Sequence, residues 1–161
     1  MRNYTTKSIN FSPLGRKKVI GSFSGGTITS DGGLLLLREA DKKFGVTRNL
    51  SKLIIDRRNP LYIIHSQTTL LKQRIYAIAA NYEDINDHDH LRTDIAFQTV
   101  LNQEKDLASS ATLSRFENRV TRADCARMSQ NLVEHFIQMH KIVPQELVLD
   151  FDPTDYRLWA C

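Results

Sequence analysis

Within residues 66–82 the side chains of Leu70, Leu71, Ile75, Ile78 and Ala79 fall at helical spacing, and Ser66 stands where it can cap the free N–H groups at the start. A period near 3.6 residues commits this stretch to a helix, and the pattern recurs along the chain. Ser30-Asp31-Gly32-Gly33 opens a helix with an apolar stripe of Leu34, Leu36, Leu37, Ala40 and Phe44. Ser30 or Asp31 offers the cap, and Gly45 suits the position after the last turn. A short helix is expected over 47–55, broken by Arg57-Arg58-Asn59-Pro60. Further helices are expected from after the run Asn86-Asp87-His88-Asp89-His90 to about Leu101, over 109–120, and over 123–140. The last carries Ala126, Leu132, Val133, Phe136 and Ile137, and Val143-Pro144 ends it.

Strand signals flank these helices. Val19-Ile20-Gly21-Ser22-Phe23 and Thr27-Ile28-Thr29 around Gly25-Gly26 predict a hairpin. At the other end Leu147-Val148-Leu149-Asp150-Phe151 alternates like a strand and delivers Asp150 and Asp152 to its C-terminal side. The expected fold class is therefore mainly α with a small β component: hairpin, helical region, then one strand. The helices at 34–44, 66–82 and 123–140 are expected to bury one another. The final strand has no evident partner except the hairpin.

Charge is unevenly placed. Residues 1–75 hold 14 Lys/Arg against 4 Asp/Glu, and residues 76–161 hold 8 against 14, so a +10 half precedes a −6 half. A basic half suits a polyanion such as nucleic acid, and it also suits a merely solvated surface. Arg16-Lys17-Lys18 sits in a polar segment, residues 1–18, expected to be an extended basic arm. The longest aliphatic run, Leu34-Leu35-Leu36-Leu37, is far too short to span a bilayer, and no secretory signal core is evident. Cys125 and Cys161 lack ligand-like spacing and are expected to be free thiols in a reducing cytoplasm.

Four constellations could carry chemistry. Asp87-His88-Asp89-His90 invites a metal, but neighbours in sequence do not share a helix face, so a hydrated capping segment is the favoured reading. Arg115, Arg119 and Arg122, at i, i+4 and i+7, would form one cationic stripe along a recognition helix, with Leu113 and Phe116 facing the core. Lys72 and Arg74 could reach phosphate, though snorkelling at the helix surface explains them better. Asp150 and Asp152 demand a cation, a basic partner or a capping role, because an unpaired buried carboxylate is costly. A metal held there could activate water or a 3′-hydroxyl for phosphoryl transfer.

Read together, several segments resemble bacterial insertion-sequence transposases of the DDE domain group 1 class. They are Thr29 through Asp41 with its Ser30-Asp31-Gly32-Gly33 core, then His65-Ser66 with Gln73-Arg74-Ile75-Tyr76-Ala77-Ile78-Ala79. Tyr82-Glu83-Asp84-Ile85-Asn86-Asp87-His88-Asp89 follows, then Leu107-Ala108-Ser109 with Ala111 through Arg119, and finally Leu147 through Asp155. The resemblance implies a ribonuclease-H-like core whose two aspartates and one glutamate bind Mg²⁺. Asp152-Pro153-Thr154 would supply the first aspartate, with Asp150 as the runner-up or a neighbouring ligand.

On this reading residues 1–18 are the arm, 19–142 a mostly helical DNA-binding region, and 143–161 the start of a truncated catalytic core. The second aspartate and the glutamate would lie beyond Cys161. Arg16, Lys17, Lys18, Arg115, Arg119 and Arg122 are the expected DNA contacts. The implied partner is DNA at transposon ends, a homodimer is left open, and no membrane is expected. The implied setting is the bacterial cytoplasm, on the nucleoid when bound. The alternative is a catalytically dead DNA-binding module that represses or competes with its own element.

Overall fold

The computed structural model describes residues 8–22, 31–140 and 142–148. Strands β1 (Ile9–Leu14) and β2 (Lys17–Gly21) lead into α1 (Leu34–Phe44) and α2 (Val46–Leu53). After them come α3 (Gln67–Ala79), α4 (His88–Leu91), α5 (Ile95–Leu101), α6 (Ser110–Glu117) and α7 (Arg122–Met139). Short 3-10 turns stand at Pro60–Tyr62 and Ile85–Asp87. The chain is mainly helical with a small antiparallel sheet, as the sequence predicts.

The described residues contain a hairpin that the sequence did not lead one to expect, ahead of Gly25-Gly26. β1 pairs with β2, Ile9 opposite Gly21 and Leu14 opposite Lys17, across the two-residue turn Gly15-Arg16. Gly15 takes a φ of 55°, the left-handed region that a tight hairpin turn needs, and a Cβ there would also collide with the Glu104 side chain. Register slips between Phe11 and Leu14, where Pro13 has no N–H to offer a ladder. Part of the segment expected to be an extended arm is therefore paired strand. Gly25-Gly26 and Thr27-Ile28-Thr29 lie outside the described residues.

Helix α3 runs between two apolar clusters. Tyr76 and Ala77 join Leu34, Leu91, Phe97, Val100, Leu101 and Leu107 in one. Leu70 and Leu71 join Leu50, Ile54, Ala108, Leu113 and Phe116 in the other. Because α3 is covered on several sides, its buried set is Leu70, Leu71, Gln73, Tyr76 and Ala77, whereas Ile78 from the expected stripe is exposed. Ser66 caps α3 as predicted, accepting from the Thr69 N–H at 3.1 Å.

The buried face of α1 is largely polar. Leu34, Arg38 and Asp41 point inward, at i, i+4 and i+7, while Leu36 and Phe44 of the expected stripe are exposed. Arg38 is 1% exposed. It donates to the Thr99 carbonyl at 2.7 Å and the Ser12 carbonyl at 2.6 Å, tying β1, α1 and α5 together. Asp41 accepts from the Thr47 N–H at 2.9 Å, the Thr47 hydroxyl at 2.5 Å and the Tyr76 hydroxyl at 3.1 Å, and pairs with Lys72 at 3.2 Å. Burial alone would raise the Asp41 pKa, but the Thr47 donors and Lys72 outweigh it and hold the carboxyl below its ordinary value. Burial first, and then Asp41, push the Tyr76 phenol up. Gly45, at φ 73°, ends α1 as expected.

Thr121 starts α7 with a reciprocal capping box: its hydroxyl accepts from Asp124 N–H, and Asp124 accepts from Thr121 N–H. The helix packs on α2 through its first half, where Met128 meets the second cluster. Leu132, Val133, Phe136 and Ile137 stay exposed, so the expected mutual burial of this helix with α1 and α3 does not occur. Leu147 and Val148 are exposed and in no strand. The rest of the expected 147–151 strand lies outside the described residues.

Candidate nucleic-acid interface

An open groove of about 540 Å³ lies between the 58–65 segment and the start of α6. Its charged lining is Arg58, Arg92, Arg115 and Arg119, with His65 among them. Leu70 and Leu107 form its apolar floor, and both belong to the cores, so the groove rests on a packed base. Tyr62 and Ile64 stand on its rim.

Each arginine is held by a different device. Arg58 grips Asp56 with two parallel hydrogen bonds, Nε at 2.8 Å and Nη2 at 2.6 Å, and its Nη1 donates to the His65 carbonyl at 3.0 Å. That fork brings Asp56 down to about 2, against a smaller opposing effect of burial. Arg119 reaches the same carboxylate at 3.4 Å and lies over the Phe116 ring. Arg92 pairs with Asp106 at 3.2 Å, and its buried Nε finds no hydrogen-bond acceptor among the described residues. Arg115 donates Nε to the Ala111 carbonyl of its own helix and has no carboxylate partner among the described residues.

Four guanidiniums thus meet two carboxylates. His65 responds to the surplus: burial first, then the positive charges of Arg92 and Arg58, lower its pKa. The imidazole is neutral at neutral pH and adds a hydrogen-bonding ring without adding charge.

The walls are set by polar contacts between segments distant in sequence. Gln73, fully buried on α3, clasps the backbone of Ala108: its amide donates to the carbonyl at 2.8 Å and accepts from the N–H at 3.0 Å. The Leu107 N–H bonds to the Arg92 carbonyl at 2.9 Å. Asp89 accepts from both the N–H and the hydroxyl of Ser110, at 3.0 and 2.7 Å, so it holds the first turn of α6 from outside. Ser109 and Thr112 of that turn line the groove.

The expected single stripe is corrected by this arrangement. α6 stops at Glu117, and the Thr121 capping box begins a separate helix at Arg122. Arg115 and Arg119 share the groove, whereas Arg122 does not line it. Arg16, Lys17 and Lys18 are exposed at the hairpin turn and on β2, outside the groove lining. Lys72 pairs with Asp41, and Arg74 bonds to Glu117 at 2.5 Å and to the Glu83 carbonyl at 2.6 Å, so both serve the fold.

Asp87-His88-Asp89-His90 is structural, though not merely hydrated. His88 is completely buried and meets Gln73 at 3.2 Å through Nδ1. Among the described residues no group of three or more His, Cys, Asp or Glu gathers to hold a metal. Asp150 and Asp152 lie outside the described residues.

Sequence reading missed Arg58, Arg92 and His65 as site residues. They sit in separate segments that only the fold brings together. Arg58 was legible as part of a helix break, and nothing local marked Arg92.

The family model described as Transposase DDE domain group 1 matches residues 11–161. The chain belongs to this transposase family. No curated protein and no solved structure gave a match. Membership gives the chain a transposase role in DNA transposition, makes DNA its implied partner, and brings the family's general use of divalent metal ions. Among the described residues no helix is long and apolar enough to cross a membrane.

Proposed function

We propose that the arginine-lined groove holds the phosphate backbone of DNA, and that the helical region serves a transposase by binding transposon ends. The observation that carries this reading is the concentration of Arg58, Arg92, Arg115 and Arg119 on one concave surface, opposed among the described residues by Asp56 and Asp106. Guanidiniums present fixed, planar donor sets suited to phosphate oxygens. The hairpin cations Arg16, Lys17 and Lys18, and Arg122 at the start of α7, are proposed as further backbone contacts, supported by their exposure. Asp152, with Asp150 near it, is proposed as a ligand for Mg²⁺ in DNA cleavage and strand transfer by a complete transposase. Support for that role comes from the Asp152-Pro153-Thr154 sequence and the family's use of divalent ions.

Arg115 is the residue to test, because among the described residues its side chain bonds only within its own helix, so its loss should spare the fold. Binding of a fluorescent duplex to the 161-residue chain would be titrated at several salt concentrations. Arg115→Ala should weaken binding and reduce the slope of log K against log salt by about 1, as loss of one phosphate contact requires. An unchanged slope in this variant would remove the groove from DNA binding.

A further inference from the structure

The groove is open, so the backbone of a duplex can lie along its arginines, and at about 540 Å³ it also falls within the range, roughly 300–1,000 Å³, of cavities that hold a small molecule the size of one nucleotide. Its rim is also unusual for a surface built around arginines. Of its lining side chains, Tyr62 and Ile64 are 82% and 89% exposed, two large side chains carried by the turn at Pro60–Tyr62 and the residues just after it. Exposed apolar side chains beside a concentrated positive charge fit a ligand that is itself part anion and part flat apolar ring.

The turn carrying them is rigidly made. The Asn59 side chain accepts from the Leu61 N–H at 3.1 Å, Pro60 fixes the first backbone angle, and the Tyr62 N–H reaches the Asn59 carbonyl at 3.1 Å. Arg58, anchored on Asp56, ties the base of the turn by donating to the His65 carbonyl. Tyr62 is therefore presented on a preorganised mount, with little ordering left to do on binding.

We infer that the groove accepts one unpaired nucleotide of a DNA strand, its base stacked on Tyr62 and its phosphate among Arg92, Arg115 and Arg119. This rests on the proposal that the groove binds DNA, and it adds that DNA must present an unstacked base there. The apolar turn competes for the base with its neighbours in the helix, as wedge-like side chains do elsewhere. His65, neutral and beside the phosphate position, offers a hydrogen bond to the nucleotide.

The test compares two DNAs of the same duplex length, one blunt and one with a single-stranded extension carrying 2-aminopurine as its first unpaired base. Wild-type protein should bind the extended DNA about tenfold more tightly and change the 2-aminopurine fluorescence. Stacking on an aromatic side chain supplies a factor of that order. Tyr62→Ala should abolish the preference and the fluorescence change, bringing affinity for the extended DNA down to that for the blunt duplex, and Tyr62→Trp should restore both. Equal wild-type affinity for the two DNAs, or a preference that survives Tyr62→Ala, overturns the inference. So does a wild-type dimer that Tyr62→Ala converts to monomer in sedimentation, which would make the turn a protein interface. If Arg115→Ala leaves blunt-duplex binding untouched, the groove reading itself fails. If that variant weakens duplex binding while Tyr62→Ala changes nothing, only the stacking inference fails.

Discussion

Gln73→Leu should destabilise the chain far more than an average core substitution. Gln73 is 0% exposed and its amide is fully committed: it donates to the Ala108 carbonyl, accepts from the Ala108 N–H and reaches His88 Nδ1. Leucine fills nearly the same volume, so the cavity cost is small. It leaves three buried polar atoms without partners, each worth about 1–3 kcal/mol of lost desolvation. Taking the lower half of that range, because neighbouring backbone can relax, the loss is between about 3 and 6 kcal/mol. A domain's whole stability is only about 5–15 kcal/mol, so the variant should stand near the edge of folding. Urea unfolding followed by circular dichroism measures it: with a slope of about 2 kcal/mol per molar, the midpoint should fall by at least about 1.5 M. A midpoint within about 0.5 M of wild type, at unchanged slope, would refute the claim that the Gln73–Ala108 clasp holds the two cores together.

Two further outcomes follow from the buried polar groups. Arg38→Met removes the donors to Ser12 and Thr99 and should cost about 3 kcal/mol in urea unfolding. It should also lower hydrogen-exchange protection in β1 and β2, and unchanged protection there would contradict the anchoring role. His88 and His65 are both held below the ordinary value of 6.5, burial being the main cause in each. The unfolded chain therefore binds more protons, and their contribution is present above pH 6.5 and declines as pH falls below it. The urea midpoint should drop between pH 7.5 and 5.5, a window in which Asp56, at about 2, does not titrate. A flat midpoint there would contradict the burial of His88.

Much of the helical order could be read in the sequence, because capping and periodicity are local. Ser66 caps α3, Gly45 ends α1, and α5 and α7 fall close to their expected places. The errors share a physical cause. The hairpin at Gly15-Arg16 was missed because nothing local set this turn above Gly25-Gly26, and the contacts of Ser12 with Glu39 and Arg38 that dock it lie far away in sequence. On α1, hydrophobicity pointed to Leu36 and Phe44, while the buried face holds Arg38 and Asp41, which are satisfied by groups from Ser12, Thr47, Tyr76, Lys72 and Thr99. No local pattern announces a charged residue as core when its partners lie 26 to 61 residues away. The Arg115–Arg119–Arg122 stripe failed differently: Thr121 and Asp124 already spelled a capping box, which outranks a continued helical period.

The same polar interior decides where the groove can be. Leu107 and Ala108 are neighbours in sequence but belong to different cores, and the chain between α5 and α6 must pass from one to the other. Its backbone polar groups, buried in that passage, need partners, and Gln73 and the Arg92 carbonyl supply them. This fixes Ser109 and the start of α6 at the surface, where Asp89 secures Ser110. Arg115 then projects one turn later, beside Arg92 from α4's end and across from Arg58. The concentration of positive charge is thus a consequence of how one connecting segment is satisfied. It follows that weakening the Gln73 clasp should disturb DNA binding through position, whereas removing Arg115 should disturb it through charge. Only the second should change the salt dependence among molecules that remain folded.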